Sequence, residues 1–433
     1  MNIKKVLIVT YYWPPYGGTG TYRILKFVKN LRAFGYEPII LTTKNPDAPI
    51  YDKNLLGEVP EEIKIFRTSK FELTTFFRKK ISKQKGQIAT NVFQSKPKGF
   101  FSRLAKWIRV NLFIPDAKIG WYSFAVSAGK KIILDEKPDL IFSTSPPPTT
   151  QLIARKLSKW SGLKWVADFR DPWTKIFYLD EANQFSLSRK RNERLEKRVL
   201  RDCNAFTAVN DGFFPHLDFR NKMTVIPNGF DASEFVTALP ETRNEKFTIR
   251  YLGGWKSNQQ VKGLTESLKE ISKDKKMSES IRLETFGFID SEIKKEFKSD
   301  EIKIEVNHYD YADRPTTIRK LQTSDLLIMI IGKSKLQDQG LSTKIFEYMC
   351  TYKPIIGFGP VVGSAAKILS ETGCGKMFSL DDVSGCHEFI MRCYNDWLAG
   401  QNFSGIRMDK ITKYDFRFLT SKLADTFNRV LAE

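Results

Sequence analysis

The sequence predicts an α/β chain folded as two doubly wound domains that face each other across a cleft. Three observations carry the prediction: the chain length, an alternation of apolar strands with amphipathic helices in both halves, and glycine-rich turns where a strand hands over to a helix. At 433 residues the chain is too long for one ordinary core and suits two domains of roughly 200 residues each. The 41% hydrophobic content, with 13% aromatics, is enough for packed cores and excludes disorder as the default state.

The elements follow in order. Residues 5–10 are a continuous apolar run bounded by turn formers, as expected of a parallel strand buried on both faces. A loop rich in proline, aromatics and glycine leads to a helical pattern at 22–34, and residues 37–43 read as the next strand, completing a βαβ unit. The alternation continues with a strand at 140–144, a helix at 149–160, a strand at 164–168 and a charged helix at 187–200 that leads into the segments 205–209 and 224–230. The polar stretch 231–246 reads as a linker. An N-terminal domain is therefore assigned to residues 1–235 and a C-terminal domain to 246–415, with strands at 247–253, 281–286, 302–306, 326–331 and 354–358. The last helical pattern is long enough to pack back on the first domain, so residues 416–433 are assigned there.

Composition narrows the function. The net charge of +21 asks for an anionic partner: nucleic acid, an acidic membrane surface or a phosphorylated substrate. Residues 73–115 hold no acidic residue and interleave Arg78, Lys79, Lys80, Arg103 and Arg109 with Phe76, Phe77, Phe100, Phe101 and Trp107. That mixture suits a membrane-facing insertion in an anionic lipid interface, and equally a solvated loop. No ribonucleoprotein or zinc-finger motif is present, so nucleic acid is not expected as a partner. The five cysteines form no CxxC pair and the three histidines are scattered, which indicates neither a disulfide framework nor a zinc site and fits a reducing cytoplasm. No run approaches the roughly 20 apolar residues of a membrane span.

Four places carry chemistry. Gly17, Gly18 and Gly20 lie between the first strand and the first helix, where backbone amides and the helix dipole favour an anion, although a plain tight turn explains them as well. Asp168, Arg170 and Asp171 stand directly after an apolar strand, within Asp-Phe-Arg-Asp-Pro-Trp at 168–173. Carboxyl ends of parallel strands are where ligands bind. The alternative is an internal Asp–Arg pair that fixes a loop. In the second half, Lys256 and Lys262 flank a Gly-Gly turn after a strand, a setting for a diphosphate. Finally, Ser342, Thr343 and Lys344 precede Glu347, whose carboxylate can take two ribose hydroxyls or serve only as a solvated helix charge.

Taken together, Ser-Pro-Pro at 145–147, the 168–173 hexapeptide, Val-Ile-Pro-Asn-Gly-Phe-Asp at 225–231 and Lys-Ile-Phe-Glu-Tyr at 344–348 resemble the GT-B glycosyltransferases of family 4, in the subgroup with the Asp-Phe-Arg-Asp-Pro-Trp signature. The resemblance spans nearly the whole chain. It implies two Rossmann-like domains and transfer of a sugar from a nucleotide-sugar donor with retention at the anomeric carbon, with no cofactor and no obligatory metal. Lys256 and Lys262 then take the basic positions on the donor diphosphate, Glu347 the ribose position, and Asp171, or Asp168, the acceptor hydroxyl. The acceptor expected is a glycan or a polyprenyl-diphosphate-linked sugar in cell-surface polysaccharide synthesis, on the inner face of the membrane. One departure stands out: the glutamate common eight residues before the ribose-binding one is Gln339 here, which cannot supply a carboxylate. The competing expectation is a degenerate GT-B protein that binds nucleotide or membrane without catalysis.

Overall fold

The computed structural model describes residues 3–46, 51–71, 107–108, 111–174, 184–214, 218–236, 243–332 and 341–433. Most of the basic stretch at 73–115, and Gln339, lie outside the described residues. The chain divides into two compact units, one of Met1–Asn228 with Phe416–Glu433 and one of Gly229–Asp415. Among the described residues no helix is long and apolar enough to cross a membrane.

The first unit is built on a parallel sheet in the order β3-β2-β1-β4-β5-β6-β7. Its strands are β1 (Lys4–Val9), β2 (Tyr36–Thr43), β3 (Lys64–Thr68), β4 (Leu140–Ser145), β5 (Lys164–Phe169), β6 (Ala205–Ala208) and β7 (Met223–Val225). Helices α1 (Thr19–Leu31), α2 (Tyr122–Glu136), α3 (Thr149–Ser161) and α4 (Ser186–Asp202) connect them. β1 shows why the run at its core is uniformly apolar. Val6 and Ile8 pack with Ile24 and Phe27 on one face, while Leu7 and Val9 pack with Trp121, Ile153 and Leu157 on the other. A strand covered on both sides has no polar face to show. α1 begins earlier than the 22–34 pattern, directly after Gly18, and ends through a 3-10 turn, Arg32–Phe34, at Gly35.

The second unit repeats the architecture in the order β10-β9-β8-β11-β12-β13. Its strands are β8 (Phe247–Leu252), β9 (Ile281–Phe286), β10 (Glu305–Tyr309), β11 (Leu326–Ile330), β12 (Ile355–Phe358) and β13 (Gly375–Phe378). Its helices are α5 (Lys262–Ile271), α6 (Lys275–Ser280), α7 (Ser291–Phe297), α8 (Arg314–Gln322), α9 (Lys344–Cys350), α10 (Ser364–Thr372), α11 (Val383–Leu398) and α12 (Met408–Ile411). The strand expected at 302–306 is displaced. Ile302 and Ile304 are buried in the core ahead of it, and the ladder with β9 runs from Glu305 to Tyr309. The apolar residues there mark the approach to an edge strand rather than the strand itself.

The stretch 231–246 is not a linker from its start. Phe230 donates its N–H to the Tyr414 carbonyl at 3.0 Å, and Asp231 caps the turn Ala232–Phe235, accepting from the Ser233 N–H at 3.0 Å. The division between units falls at Asn228 and Gly229. The last helix, α13 (Phe416–Ala432), belongs to the first unit. Phe416 meets Phe27 edge-on at 5.6 Å, Phe427 meets Tyr36 at 5.2 Å, and the Tyr36 hydroxyl donates to Asn428 Oδ1 at 2.7 Å. Such aromatic pairs each add about 0.5–1.5 kcal/mol beyond burial.

Candidate functional site

In an open α/β sheet the ligand crevice lies beyond the carboxyl ends of the strands, where the strand order reverses. In the first unit that point is between β1 and β4. The loop leaving β1 carries Gly17 and Gly18, and the segment leaving β4 carries Ser145, Pro146 and Pro147. Gly18 has φ of +113°, which favours glycine, and its carbonyl accepts from the N–H groups of Thr21 and Tyr22 at 2.9 and 3.1 Å. No side-chain cap closes α1, and a Cβ on Gly18 would meet nothing within 4 Å. Beside it, Trp13 Nε1 and Thr21 Oγ1 are buried with no hydrogen-bond partner among the described residues.

The three charged residues after β5 separate by environment. Asp168 is fully buried. Its Oδ1 accepts from Arg23 Nη2 at 2.9 Å and from the Thr207 hydroxyl at 2.7 Å, while Oδ2 accepts from the Thr144 hydroxyl at 2.6 Å and from Arg23 Nε at 3.4 Å. Burial pushes this carboxyl up, but the Arg23 charge and these hydrogen bonds outweigh it and hold Asp168 below the usual aspartate range. Its acceptor capacity is spent inside the protein. Arg23, itself buried, also donates to the carbonyls of Ile226 and Pro227 at 2.8 and 2.7 Å, so the Ile-Pro-Asn segment is clamped to β5.

Arg170 turns back on its own unit. Nε donates to the Ser145 carbonyl at 3.2 Å and Nη2 to the Pro146 carbonyl. Its guanidinium also fills the space beside Gly20, where an added Cβ would lie 1.3 Å from Nη1. Gly20 thus serves close approach, not a phosphate. Of the three, Asp171 alone is exposed.

In the second unit the order reverses between β8 and β11. Beyond β8 lie Gly253, Gly254 and then Lys256 and Lys262, both exposed. Lys262 opens α5, and Gly263 behind it presses on the Asp382 backbone, where a Cβ would lie 2.6 Å from the carbonyl oxygen. Lys344, at the start of α9, reaches across to the same turn. Its ammonium sits 4.8 Å from the centre of the Tyr251 ring and so close to Gly253 that a Cβ there would be 1.9 Å from Nζ. Gly253 has φ of +136°. Lys344 pairs with no carboxylate among the described residues; burial lowers its ammonium to about 8, with the Glu347 charge opposing. Ser342 and Thr343 form the turn into α9, their carbonyls accepting from Ile345 and Phe346 at 3.2 Å.

Glu347 is partly buried and already engaged: its Oε1 accepts from Arg314 Nη1 at 2.6 Å, and Arg314 binds Glu234 as well. No local pattern singles out Arg314, one of two arginines in a short polar helix. Arg23 was missed for the same reason, since nothing in its surroundings 19–31 marks a partner far along the chain. Exposed aromatics beyond β9 and β10, Phe288 and Tyr311, also flank this edge.

No protein-family model matches the sequence, and no curated protein matches it. Solved structures do. Sucrose-phosphate synthase from Thermosynechococcus elongatus is 12% identical, with a TM-score of 0.63 and 99% of each chain covered. A glycosyltransferase from Rickettsia africae is 15% identical, with a TM-score of 0.63 over 100% of this chain and 99% of its own. HepE of Anabaena in complex with UDP-glucose is 13% identical, with a TM-score of 0.58 over 98% of this chain and 100% of its own. At these identities the likeness is one of fold, and with the two parallel sheets described above it shows that this chain has the GT-B fold.

Proposed function

We propose that the protein is a retaining glycosyltransferase of family 4 type, moving a sugar from a nucleoside-diphosphate donor to a glycan or polyprenyl-diphosphate-linked acceptor in cell-surface polysaccharide synthesis. The observation that carries this reading is Lys344, a partly buried cation with no carboxylate partner among the described residues, lodged against the Gly253 turn at the carboxyl edge of the second sheet. A desolvated, unpaired cation is an arrangement that an anionic ligand completes. The solved relative bound to UDP-glucose supports the choice of donor class.

In this reading the second unit holds the donor. Lys344, with Lys256 and Lys262, neutralises the diphosphate, which gains charge as the glycosidic bond breaks. Fixed charge aimed at that group is worth about 10²–10³-fold in rate per donor removed. Lysines in this role make a divalent ion dispensable. Arg314 holds one oxygen of Glu347 and leaves the other for a ribose hydroxyl. Asp171 orients the acceptor hydroxyl and takes its proton, while Asp168 and Arg170 keep the loop in place. The basic, aromatic composition of 73–115 supports a lipid-linked acceptor. So does α4, where Lys190, Arg191, Arg194, Lys197 and Arg198 are exposed beside exposed Phe185 and Leu187. Both features fit peripheral binding to an anionic membrane on its cytoplasmic side.

The test is a thermal-shift screen of UDP-, GDP-, ADP- and dTDP-sugars followed by a donor-hydrolysis assay, on wild type and Glu347→Ala. One donor class is expected to stabilise wild type but not the variant and to be slowly hydrolysed. Stabilisation without hydrolysis, even with acceptor present, would favour a GT-B protein that binds nucleotide without turnover. Failure of every nucleotide to bind sinks the donor reading.

A further inference from the structure

At the opposite, amino edge of the second unit's sheet lies a pocket of about 580 Å³, within the range of about 300–1,000 Å³ usual for small-molecule sites. Asn244, Asp325 and Pro354, which lead into β8, β11 and β12, form one wall. The ends of α8, α9 and α11, with the turn after α11, form the others.

The wall chemistry selects the ligand. Asp325 and Asp396 stand with the amides of Gln322, Gln401 and Asn402, and with Arg243. Lys353 supplies a second cation, so the ionised groups balance and neither sign is favoured. Asp325 Oδ2 accepts from the Thr248 N–H and from Asn244 Nδ2, both at 2.8 Å, whereas Oδ1 has no protein donor among the described residues. Asp396 Oδ2 and Trp397 Nε1 are buried with no hydrogen-bond partner among the described residues. The Trp397 ring is fixed beneath the Arg243 guanidinium at 4.1 Å. The Asp325 Oδ1 left without a donor takes a hydrogen bond, and the side-chain amides of Gln401 and Asn402 both give and take one, a set that hydroxyls complete. Carboxylates and amides around a tryptophan therefore fit an uncharged, hydroxyl-rich molecule better than a nucleotide, whose phosphates need a surplus of donors.

We propose that this amino-edge pocket is a second ligand site, for a neutral saccharide, separate from the carboxyl-edge donor site. The two edges share their rigid elements. α8 carries Arg314 at its start and Gln322 at its end; α9 carries Glu347 and runs on to Tyr352 and Lys353.

The experiment titrates the full chain with glucose, N-acetylglucosamine, maltotriose and chitotriose, by saturation-transfer NMR and calorimetry, with and without saturating UDP. At least one saccharide is expected to bind more tightly than about 10 mM. Asp325→Asn, which alters the carboxylate oxygen left without a donor, and Gln401→Ala are each expected to weaken it about tenfold. Glu347→Ala and UDP are expected to leave saccharide binding in place. If either variant fails to fold, the exposed Asn402→Ala carries the same test. Absence of binding by every saccharide overturns the proposal. So does binding that UDP or Glu347→Ala abolishes while the pocket variants bind as wild type, because the sugar is then at the other edge. Nucleotide binding is measured on its own, so the donor reading and this one fail independently.

Discussion

The two carboxyl edges have the same topology and opposite chemistry. In the first unit the charged groups at the switch point are consumed internally: Arg23 and Asp168 by each other and by five further partners, Arg170 by two carbonyls. In the second unit Lys344 is held half out of water with no carboxylate partner among the described residues. A motif that looks reactive in sequence can be a lock, while a partly buried lysine at the start of a helix can be the group left for a ligand. The lesson is to ask where each charge is spent before assigning it a role.

The largest effect that would break this contrast is on stability. Asp168→Asn leaves the Arg23 guanidinium buried without its counter-charge, and a loss of about 3–5 kcal/mol is expected in urea unfolding. A neutral result would mean that the network is not a lock. Next is Lys344→Met, expected to weaken donor binding by about 1.5–3 kcal/mol, roughly ten- to a hundredfold, with unchanged or higher Tm because a desolvated charge is removed. Calorimetry with the donor class found by screening reads both numbers. Equal losses of affinity and stability would return Lys344 to a structural part.

The pH dependence sharpens the same point. Lys344 must carry its proton to hold a diphosphate, and its folded value is near 8 against an ordinary 10.5. Donor affinity should fall by about tenfold as pH rises from about 7 to about 9, and should be flat in Lys344→Met. Stability moves the other way: between the folded and unfolded values the unfolded chain binds more protons, so this group makes folding more favourable as pH climbs from about 8 to 10.5. The smallest effect belongs to Gly253→Ala, where positive φ and the crowding of Lys344 are expected to cost about 1 kcal/mol of stability, with a parallel drop in donor affinity. An alanine tolerated without change in either would show that the turn and the lysine are not coupled.

The fold was legible because periodicity is local: a run such as Val6 to Val9, apolar on both faces, announces a strand between two layers whatever lies elsewhere. Glycines at strand ends were legible as turns, but not which job each did, since Gly18 gives an open amide turn while Gly20 makes room for Arg170. The roles of Asp168 and Glu347 were only half legible. Their carboxylates stand out in sequence, whereas their partners Arg23 and Arg314 are 145 and 33 residues away, and no local pattern links them. The amino-edge pocket left no motif because its walls come from strand approaches and helix ends scattered from Arg243 to Phe403.

The return of Phe416–Ala432 to the first unit makes the second unit, in topological terms, an insertion within the first. On the ribosome the first unit begins earliest and is completed last, since its closing helix emerges only after all of Gly229–Asp415 has been made. The inserted unit can gather its own core in the meantime. Until that helix arrives, Ile24, Phe27 and Phe142 lack their cover of Phe416, Leu419, Leu423 and Phe427, so the nascent chain carries an exposed apolar seam during that wait.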